Sequence, residues 1–521
     1  MKKILVAIFA TLVTAAWVLP AMAVDTTFYG TYRVRAFSTS NNWDYASGDK
    51  QKTYTGTGST TTEGAVNTDE NSWIDQRFRL GVETKASDNL RGFVQLEIGN
   101  APGGVNRSHV WGTAVGTAAS WGSVATEHNQ NVFARQAYLS FNAGPVRIKA
   151  GRQVFGDAVD GGQSFRVADD NVYYGLVDGG LVLVSQLDAF ILTTKALEPV
   201  TLYFGYAKIV EGSATGSAAA NRQDRDDTLY ILQATMAPSD TLNGGVYFLY
   251  DSDRTLISSI TGGGERNPYW IGVGVDAKLD PINLKAHAAY KGGTMKGGCQ
   301  ATSGTTSGVG VQNCGLTGTD KGDLSYTAYA LDVDASMKID QITVGVAAGL
   351  GTGDDSVTDK NANNFTGVAG AYGVQLGQRP AIFFDGGEVS NGGAALNVAN
   401  STGANGLDQS TLGNITFAEL YASFKASDEL TLNGLAAYFM NTTTKRTTGT
   451  STSTTWDGAL GTEVDLNAVY KLYKELALSA QAAWFMPGNG ILKSKDQAGN
   501  YMGIENNDTV SEYFAKVQYD F

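Results

Sequence analysis

Paired arginines recur at two-residue spacing in the first part of the chain. Arg33 and Arg35 form one Arg-x-Arg pair, and Arg77 and Arg79 form another. Residues two apart on an extended strand lie on the same face, so each pair would present two charges to one side. Fixed charges of this kind select solutes by their field and by the width that they leave, without any catalytic geometry. If the strands that carry these pairs line a passage, the pairs would give that passage a charged wall.

Three more cations follow on the next predicted strands, namely Arg91, Arg147 and Lys149. If neighbouring strands bring all seven side chains together, they form one basic wall. Asp276, Asp332 and Asp334 lie on predicted strands roughly across from it and would extend an acidic side. The alternative is that each of these residues is an ordinary surface charge.

The sequence gives little support for an enzymatic or metal-binding function. The chain has three histidines, His109, His128 and His287, and none of them lies beside a Gly-x-Ser-x-Gly nucleophile motif. Three histidines and two cysteines are also few for a metal site, and no haem attachment motif is present. We therefore expect no catalytic residues, no metal and no cofactor.

Composition and charge restrict the class of protein. Charged residues make up 17% of the chain, below the roughly 25% of a soluble globular protein, and glycine and tyrosine are abundant. The formal net charge is −13, which argues against nucleic acid as a partner because binding to phosphates requires cations.

The N-terminus predicts export. Lys2 and Lys3 precede an uncharged apolar stretch, and residues 21–23 give the small-x-small pattern of a signal peptidase site. We expect residues 1–23 to be a cleaved signal peptide and residues 24–521 to be the mature protein. A membrane-anchoring helix is the alternative, but Pro20 interrupts the apolar run, which is shorter than the about 20 residues that spanning requires.

The mature chain has no long apolar run, so a membrane-spanning structure would have to be a closed barrel. Two-residue alternation recurs in segments of about 10 residues, as in 28–37, 271–279, 282–291 and 462–472. A soluble sandwich alternates too, but here the second face carries charges in strand after strand. A buried core does not tolerate those charges, whereas a water-filled lumen does.

Connection lengths predict the strand number. Eight short turns, such as Asp280-Pro281 and Lys474-Glu475, alternate with nine long loops rich in Gly, Ser, Thr and Asn. Short turns on one side and long loops on the other are typical of outer-membrane barrels. The sequence therefore predicts an all-β transmembrane antiparallel β-barrel of about 18 strands, with 16 strands as the alternative.

The last predicted strand alternates up to a terminal aromatic residue. Tyr513, Val517, Tyr519 and Phe521 lie on one face. This pattern resembles the closing strand by which the outer-membrane assembly machinery recognises its substrates, so we expect that machinery, membrane lipid and lipopolysaccharide as partners.

Two pairs of segments resemble known families. Segments 134–141 (ARQAYLSF) and 146–153 (VRIKAGRQ) resemble the general Gram-negative porins. Segments 72–80 (SWIDQRFRL) and 89–99 (NLRGFVQLEIG) resemble, more narrowly, the outer-membrane homotrimeric porins of sulfate-reducing bacteria. Arg-x-Arg strands and Gly-Arg-Gln also occur in 18-stranded alginate-export-type barrels.

The resemblance implies a function and a site. It implies a homotrimeric outer-membrane porin for passive diffusion of small hydrophilic solutes and ions, whose third long loop, residues 154–180, folds inward as a constriction. The charged residues of that loop would face the basic wall: Asp157, Asp160, Arg166, Asp169 and Asp170. In the alternative, these acids only solvate an exterior loop. A substrate-specific channel for a polysaccharide or a carboxylate also stays open.

The only two cysteines, Cys299 and Cys314, fall within one predicted loop of an exported chain. Exported proteins form disulfides in an oxidising compartment. The sequence therefore predicts a Cys299–Cys314 disulfide.

Overall fold

The computed structural model describes residues 24–40, 52–55, 58–61, 70–99, 109–110, 131–157, 181–211, 226–254, 265–300, 321–356, 359–368, 380–383, 412–447, 453–455, 457–492 and 509–521. The predicted signal peptide and most of the predicted constriction loop lie outside these residues. Among them, no helix is long and apolar enough to cross a membrane.

Eighteen long antiparallel strands form one closed sheet in the described part of the chain. They are β1 (Asp25–Ser40), β2 (Glu70–Ser87), β3 (Leu90–Gly99), β4 (Asn131–Ala143), β5 (Val146–Gly156), β6 (Val184–Leu197), β7 (Val200–Val210), β8 (Asp227–Ser239), β9 (Leu242–Asp253), β10 (Arg266–Leu279), β11 (Ile282–Gln300), β12 (Ala328–Ile339), β13 (Ile342–Gly351), β14 (Ile415–Lys425), β15 (Leu430–Asn441), β16 (Ala459–Tyr473), β17 (Leu476–Pro487) and β18 (Val510–Asp520). The sheet closes because β1 pairs with both β2 and β18. The predicted 18-stranded barrel is confirmed.

The structure also contains several short strands and one helical turn. The sheet also includes His109–Val110, Lys321–Tyr326 and Asn361–Ala362. Two short hairpins pair Lys52–Thr55 with Gly58–Thr61 and Lys445–Thr447 with Ser453–Thr455. One helical turn, α1, covers Asn489–Leu492.

Alternation along β1 shows how the sequence divides the two faces of the barrel. Phe28 and Tyr32 are 62% and 39% exposed on the outer face, whereas Arg33 and Arg35 are 1% exposed on the inner face. Successive residues of a strand point to opposite faces, so this apolar-out, polar-in pattern repeats around the ring. An outer surface of this kind is suited to lipid, because it presents few groups that need water.

Aromatic residues form two belts on the outer face. At one level, Tyr230 lies between Tyr206 and Tyr250, with ring centroids 5.7 and 6.0 Å apart. Near the opposite end, Phe521 stacks on Phe78 and Tyr519 at 6.2 and 5.6 Å. Aromatic belts at both ends of an apolar band are typical of barrels that sit between two membrane–water interfaces.

The final strand closes the ring next to the first. Phe521 and Gly30 exchange two backbone hydrogen bonds of 2.7 and 3.0 Å between N–H and C=O groups. Glycine is required at this point because a Cβ atom on Gly30 would lie 2.6 Å from the Phe521 ring. Tyr513, Val517, Tyr519 and Phe521 are all between 41% and 46% exposed on the outer face.

The short turns lie at one end of the barrel, and all eight fall at the predicted positions. Two of them carry the same local ion pair. Lys85 Nζ lies 2.6 Å from Asp88, and Lys425 Nζ lies 2.6 Å from Asp428. The hydrogen bond from each lysine lowers the pKa of its aspartate. Both pairs are solvent-exposed, so they contribute little to stability.

The hydrophobic core lies inside the barrel. Residues 181–183, 365–368 and 380–383 enter the lumen and pack against the inner faces of the strands. Leu181, Val182, Leu183 and Phe365 have no exposed surface. The sequence predicted an inward fold only for residues 154–180, which end just before 181–183. It did not predict the entry of the two segments between β13 and β14.

Two buried carboxylates on β16 hold the segment 380–383. Glu463 accepts hydrogen bonds from the backbone N–H groups of Ile382 and Phe383 at 2.6 and 2.8 Å, and Asp465 accepts one from Ala381 at 2.9 Å. The Phe383 ring also stacks on Phe439, with centroids 3.9 Å apart. Hydrogen bonds from backbone donors offset part of the cost of burying these two carboxyl groups.

Candidate functional site in the barrel lumen

Cross-strand register brings the two Arg-x-Arg pairs together. Arg33 on β1 lies directly opposite Arg77 on β2, and Arg79 lies opposite Thr31. The four arginines are between 1% and 4% exposed, all on the inner face. Like charges directly opposite one another repel, so this patch requires nearby acids, water or a bound anion.

A carboxylate on β3 compensates part of the positive charge of these arginines. Glu97 lies opposite Arg79 in register and accepts its Nε–H at 2.6 Å. The same oxygen of Glu97 lies 3.3 Å from Arg135 Nη1 on β4. One buried carboxylate therefore bridges two guanidinium groups.

Arg135 joins the patch because of a β-bulge that sequence alternation does not reveal. The register between β3 and β4 shifts at Gln95 and Leu96, so consecutive residues Arg135 and Gln136 are both buried, at 1% and 3% exposure. A bulge sets two residues against one on the partner strand and re-aims a side chain. We call the resulting set the arginine cluster: Arg33, Arg35, Arg77, Arg79 and Arg135.

The other predicted cations lie closer to the short turns. Arg91 is six residues along β3 from Glu97, and its Nη1 atom lies 3.4 Å from Glu83. Lys149 Nζ lies 4.4 Å from the centre of the Tyr138 ring, a cation–π distance, and Arg147 is exposed. The basic residues of β3 and β5 are therefore separate from the arginine cluster.

Asp157, the first acid of the predicted constriction loop, immediately follows β5 and has 2% exposure. Its carboxylate accepts hydrogen bonds from the backbone N–H groups of Val182 at 2.7 Å and Leu183 at 3.1 Å. His287 Nε2 on β11 lies 3.8 Å from the same carboxylate. These contacts direct Asp157 to β11 and to the returning chain. The other predicted charges of that loop, Asp160, Arg166, Asp169 and Asp170, lie outside the described residues.

The predicted acids of β10 and β12 line the inner face next to basic groups. Asp276 and Asp334 both lie opposite Lys285 in register, and Asp332 lies opposite His287. Asp334 also accepts a hydrogen bond of 2.7 Å from the Tyr421 hydroxyl group. These carboxylates alternate with cations around this part of the wall.

A second acidic group, which sequence reasoning did not select, lies on β8 and β9. Asp227, Asp251 and Asp253 are at most 3% exposed, and Asp253 accepts a hydrogen bond of 2.6 Å from Arg266 Nη2. Asp227 lies opposite Asp253 in register. The Asp-x-Asp spacing of Asp251 and Asp253 could have predicted this group, because it places two charges on one face of a strand, as the Arg-x-Arg pairs do.

The lumen therefore has two charged sides. The arginine cluster lies on β1, β2 and β4, whereas the aspartates of β8 and β9 lie four to eight strands away around an 18-stranded ring. Opposed charges on facing walls produce a transverse field, and low-dielectric walls concentrate it.

Infolded chain narrows the space beside β10 and β11. The Trp270 indole Nε1–H donates a 2.9 Å hydrogen bond to the carbonyl oxygen of Thr366. The Lys291 ammonium group bonds the Thr366 hydroxyl group, and the backbone N–H of Val368 donates to Val182 O at 3.2 Å. The infolded segments 181–183 and 365–368 are thus joined to each other and to the wall.

Cys299, near the end of β11, is fully buried and disulfide-bonded. The chain contains one other cysteine, Cys314, which lies outside the described residues. Among the described residues, no group of three or more His, Cys, Asp or Glu side chains could hold a metal ion.

We predict that reduction will change the intact mass by two hydrogens and that neither thiol will react with an alkylating agent beforehand. A disulfide over a loop of about 15 residues contributes about 3 kcal/mol in the chain-entropy description. Because Cys299 lies at the end of β11 and Cys314 lies in the connection that follows, a Cys299→Ser, Cys314→Ser variant should keep its barrel. Alkylation of both thiols without reductant would contradict the predicted pairing.

Comparison with known proteins shows likeness only at the level of fold. No family model matches the chain, and no curated protein matches it. Among solved structures, OccK9 (OpdG) of Pseudomonas aeruginosa aligns with a TM-score of 0.50 and 12% identity over 95% of this chain and 98% of that chain. OccK8 (OprE) and OccK1 (OpdK) of the same organism align over the same shares, with TM-scores of 0.48 and identities of 12% and 10%. The chain thus has the closed 18-stranded antiparallel barrel fold that it shares with OccK9.

Proposed function

We propose that the protein is an outer-membrane porin that forms a water-filled channel for passive diffusion of small hydrophilic solutes and ions. The observation that carries the proposal is the difference in polarity between the outer and inner faces of the barrel. Outer positions such as Leu420 and Phe190 are apolar and 64% and 56% exposed, whereas the inner face carries charges on most strands. A lipid-facing band around a polar interior suits a spanning barrel with an aqueous path.

The charge distribution supports a preference for anions within that function. Five arginines form one cluster, and the infolded segments occupy part of the lumen near β10 and β11. Narrow passages lined by arginine attract anions and exclude cations. A substrate-specific channel for small carboxylates is therefore the second candidate, because guanidinium groups bind carboxylates in a fork geometry.

The export route and the assembly state follow as parts of the proposal. Residues 1–23 would be removed as a signal peptide during export to the outer membrane of a Gram-negative cell. The exposed outer face of β18, ending in Phe521, supports recognition by the assembly machinery. The homotrimeric state and the closer relation to porins of sulfate-reducing bacteria are supported by the resemblance of segments 72–80 and 89–99.

A planar-bilayer experiment tests the proposal directly. The purified protein, folded in detergent, should migrate differently on a gel from the boiled sample and should give discrete conductance steps in a bilayer. In a salt gradient, the reversal potential should indicate anion preference because of the arginine cluster. A circular dichroism spectrum dominated by helix, or a correctly folded barrel without conductance, would exclude the channel function.

A further inference from the structure

The carboxylate of Asp157 joins three parts of the structure. It accepts two backbone N–H groups from the returning chain at Val182 and Leu183, and it lies 3.8 Å from His287 Nε2. The backbone N–H of Asp157 also donates to Leu183 O at 2.9 Å, which extends the β5–β6 ladder by one step. The end of β5 and the start of β6 are therefore held together and against β11.

Tyr247 on β9 completes this contact. Its hydroxyl oxygen lies 3.0 Å from His287 Nε2, and the two rings meet edge to face with centroids 5.6 Å apart. Tyr247 passes over Gly272 on β10, where a Cβ atom would lie 2.0 Å from the tyrosine ring. Glycine at 272 is thus the reason that a tyrosine on β9 can reach a histidine on β11.

These contacts join strands that are far apart around the barrel. β5 and β11 are six strands apart in an 18-stranded barrel, so the hairpin end at Asp157 reaches over the lumen to touch a distant wall. Phe155 and Leu181 beside it are 5% and 0% exposed. A chain segment that crosses the lumen reduces the width of the open path. The residues that hold the segment in place therefore influence that width.

We propose that Asp157, Tyr247 and His287 form a pH-sensitive latch that positions residues 154–157 and 181–183 within the lumen and thereby controls conductance. The proposal rests on the proposed channel function. It assigns Asp157 a positioning role toward the chain itself, in place of a role opposite the arginine cluster.

Proton binding to His287 changes which group donates in this contact. In the neutral ring with Nε2 unprotonated, the Tyr247 hydroxyl group donates to Nε2 or to the Asp157 carboxylate, and Asp157 has no charged partner in this contact. In the protonated ring, Nε2–H donates and the imidazolium attracts the Asp157 carboxylate.

Other charges around His287 shape the same response. Burial raises the pKa of Asp157, while His287, the Tyr247 hydroxyl group and the two backbone amides oppose that rise. Asp332 on β12 lies opposite His287 in register, and Lys285 and Lys291 lie on the same face of β11. Gly274 on β10 carries no charge. The latch is therefore tightest when His287 is protonated and Asp157 is ionised, and it loosens when His287 loses its proton or Asp157 gains one.

Hydrogen exchange and conductance test the latch on the full-length folded protein. Asp157→Asn should reduce exchange protection of the amides of Val182 and Leu183 by about tenfold or more, because asparagine offers one neutral oxygen in place of the two carboxylate oxygens that accept from them. In a planar bilayer, the wild type should conduct more, with more frequent substates, as pH rises from about 5 to about 8. His287→Gln should remove that alkaline change, and Tyr247→Phe, which removes one hydroxyl group, should shift its midpoint.

Asp188→Asn is the matched control, because Asp188 is a half-exposed aspartate on neighbouring β6 that bonds Arg152 instead. It should leave both measurements unchanged. Unaltered protection at Val182 and Leu183 in Asp157→Asn, or an unaltered pH response in His287→Gln, would overturn the latch. A pH response that is lost in His287→Gln and kept in Asp157→Asn would assign the effect to Asp332 and would also overturn it. Absence of wild-type pores would refute the channel function, while the exchange result would still decide whether Asp157 holds the chain.

Discussion

Replacing Arg77 and Arg79 with alanine is expected to shift ion preference toward cations and to change single-channel conductance. Both side chains belong to the arginine cluster, and Arg77 lies directly opposite Arg33. The anion-to-cation permeability ratio, obtained from the reversal potential in a salt gradient, should fall by roughly tenfold or more.

Electrostatics sets the size of this effect. A unit charge contributes about 1 kcal/mol to an ion at about 4 Å even in bulk water, which is roughly a fivefold change in local ion concentration. The lumen has a lower dielectric constant than water, so two charges act more strongly there. Glu97 also loses its 2.6 Å partner Arg79, which leaves a carboxylate less compensated and adds to the shift toward cations.

Folding should survive this change, because relief of repulsion between Arg33 and Arg77 offsets the lost Arg79–Glu97 bond. The matched control is Arg152→Ala with Lys208→Ala, which removes two cations from the outer face. Arg152 bonds Asp188 there, and Lys208 bonds Asp226. Selectivity in the control should equal that of the wild type. If Arg77→Ala with Arg79→Ala also conducts with unchanged selectivity, the arginine cluster lies away from the narrowest point of the path.

Leu420→Arg should destabilise the folded barrel by about 2–4 kcal/mol, provided that the outer face meets lipid. Leu420 lies at the middle of β14, is 64% exposed and points outward beside Val346 and Ala436. An arginine at mid-depth would place a charge in hydrocarbon. Denaturant titration in lipid vesicles, followed by the gel-mobility difference between folded and boiled protein, measures the loss.

The control for this prediction lies on the same strand. Ser423 is three residues from Leu420 and points to the lumen, so Ser423→Arg should change stability by no more than about 0.5 kcal/mol. Equal destabilisation by the two substitutions would show that both faces of β14 are in similar surroundings, which contradicts a lipid-facing barrel.

The sequence by itself determined the barrel. Strand alternation with charges on the second face excludes a dry core. The number of short turns predicts the number of strands, and the pairing of all 18 strands confirms that prediction. Both signals are local, because side-chain direction and turn length depend on a few neighbouring residues. The inward direction of Arg33 and Arg35 follows from the same local rule.

Only the tertiary structure decided which lumenal residues meet. Arg135 joins the arginine cluster through a bulge, and bulges depend on how two strands pair. Asp157 bonds Val182, Leu183 and His287 because the hairpin end crosses the lumen, a distance that no sequence spacing reports. The entry of residues 365–368 and 380–383 likewise depends on inner surfaces assembled from many strands. Long-range packing therefore sets the contents of the lumen, whereas local periodicity sets its wall.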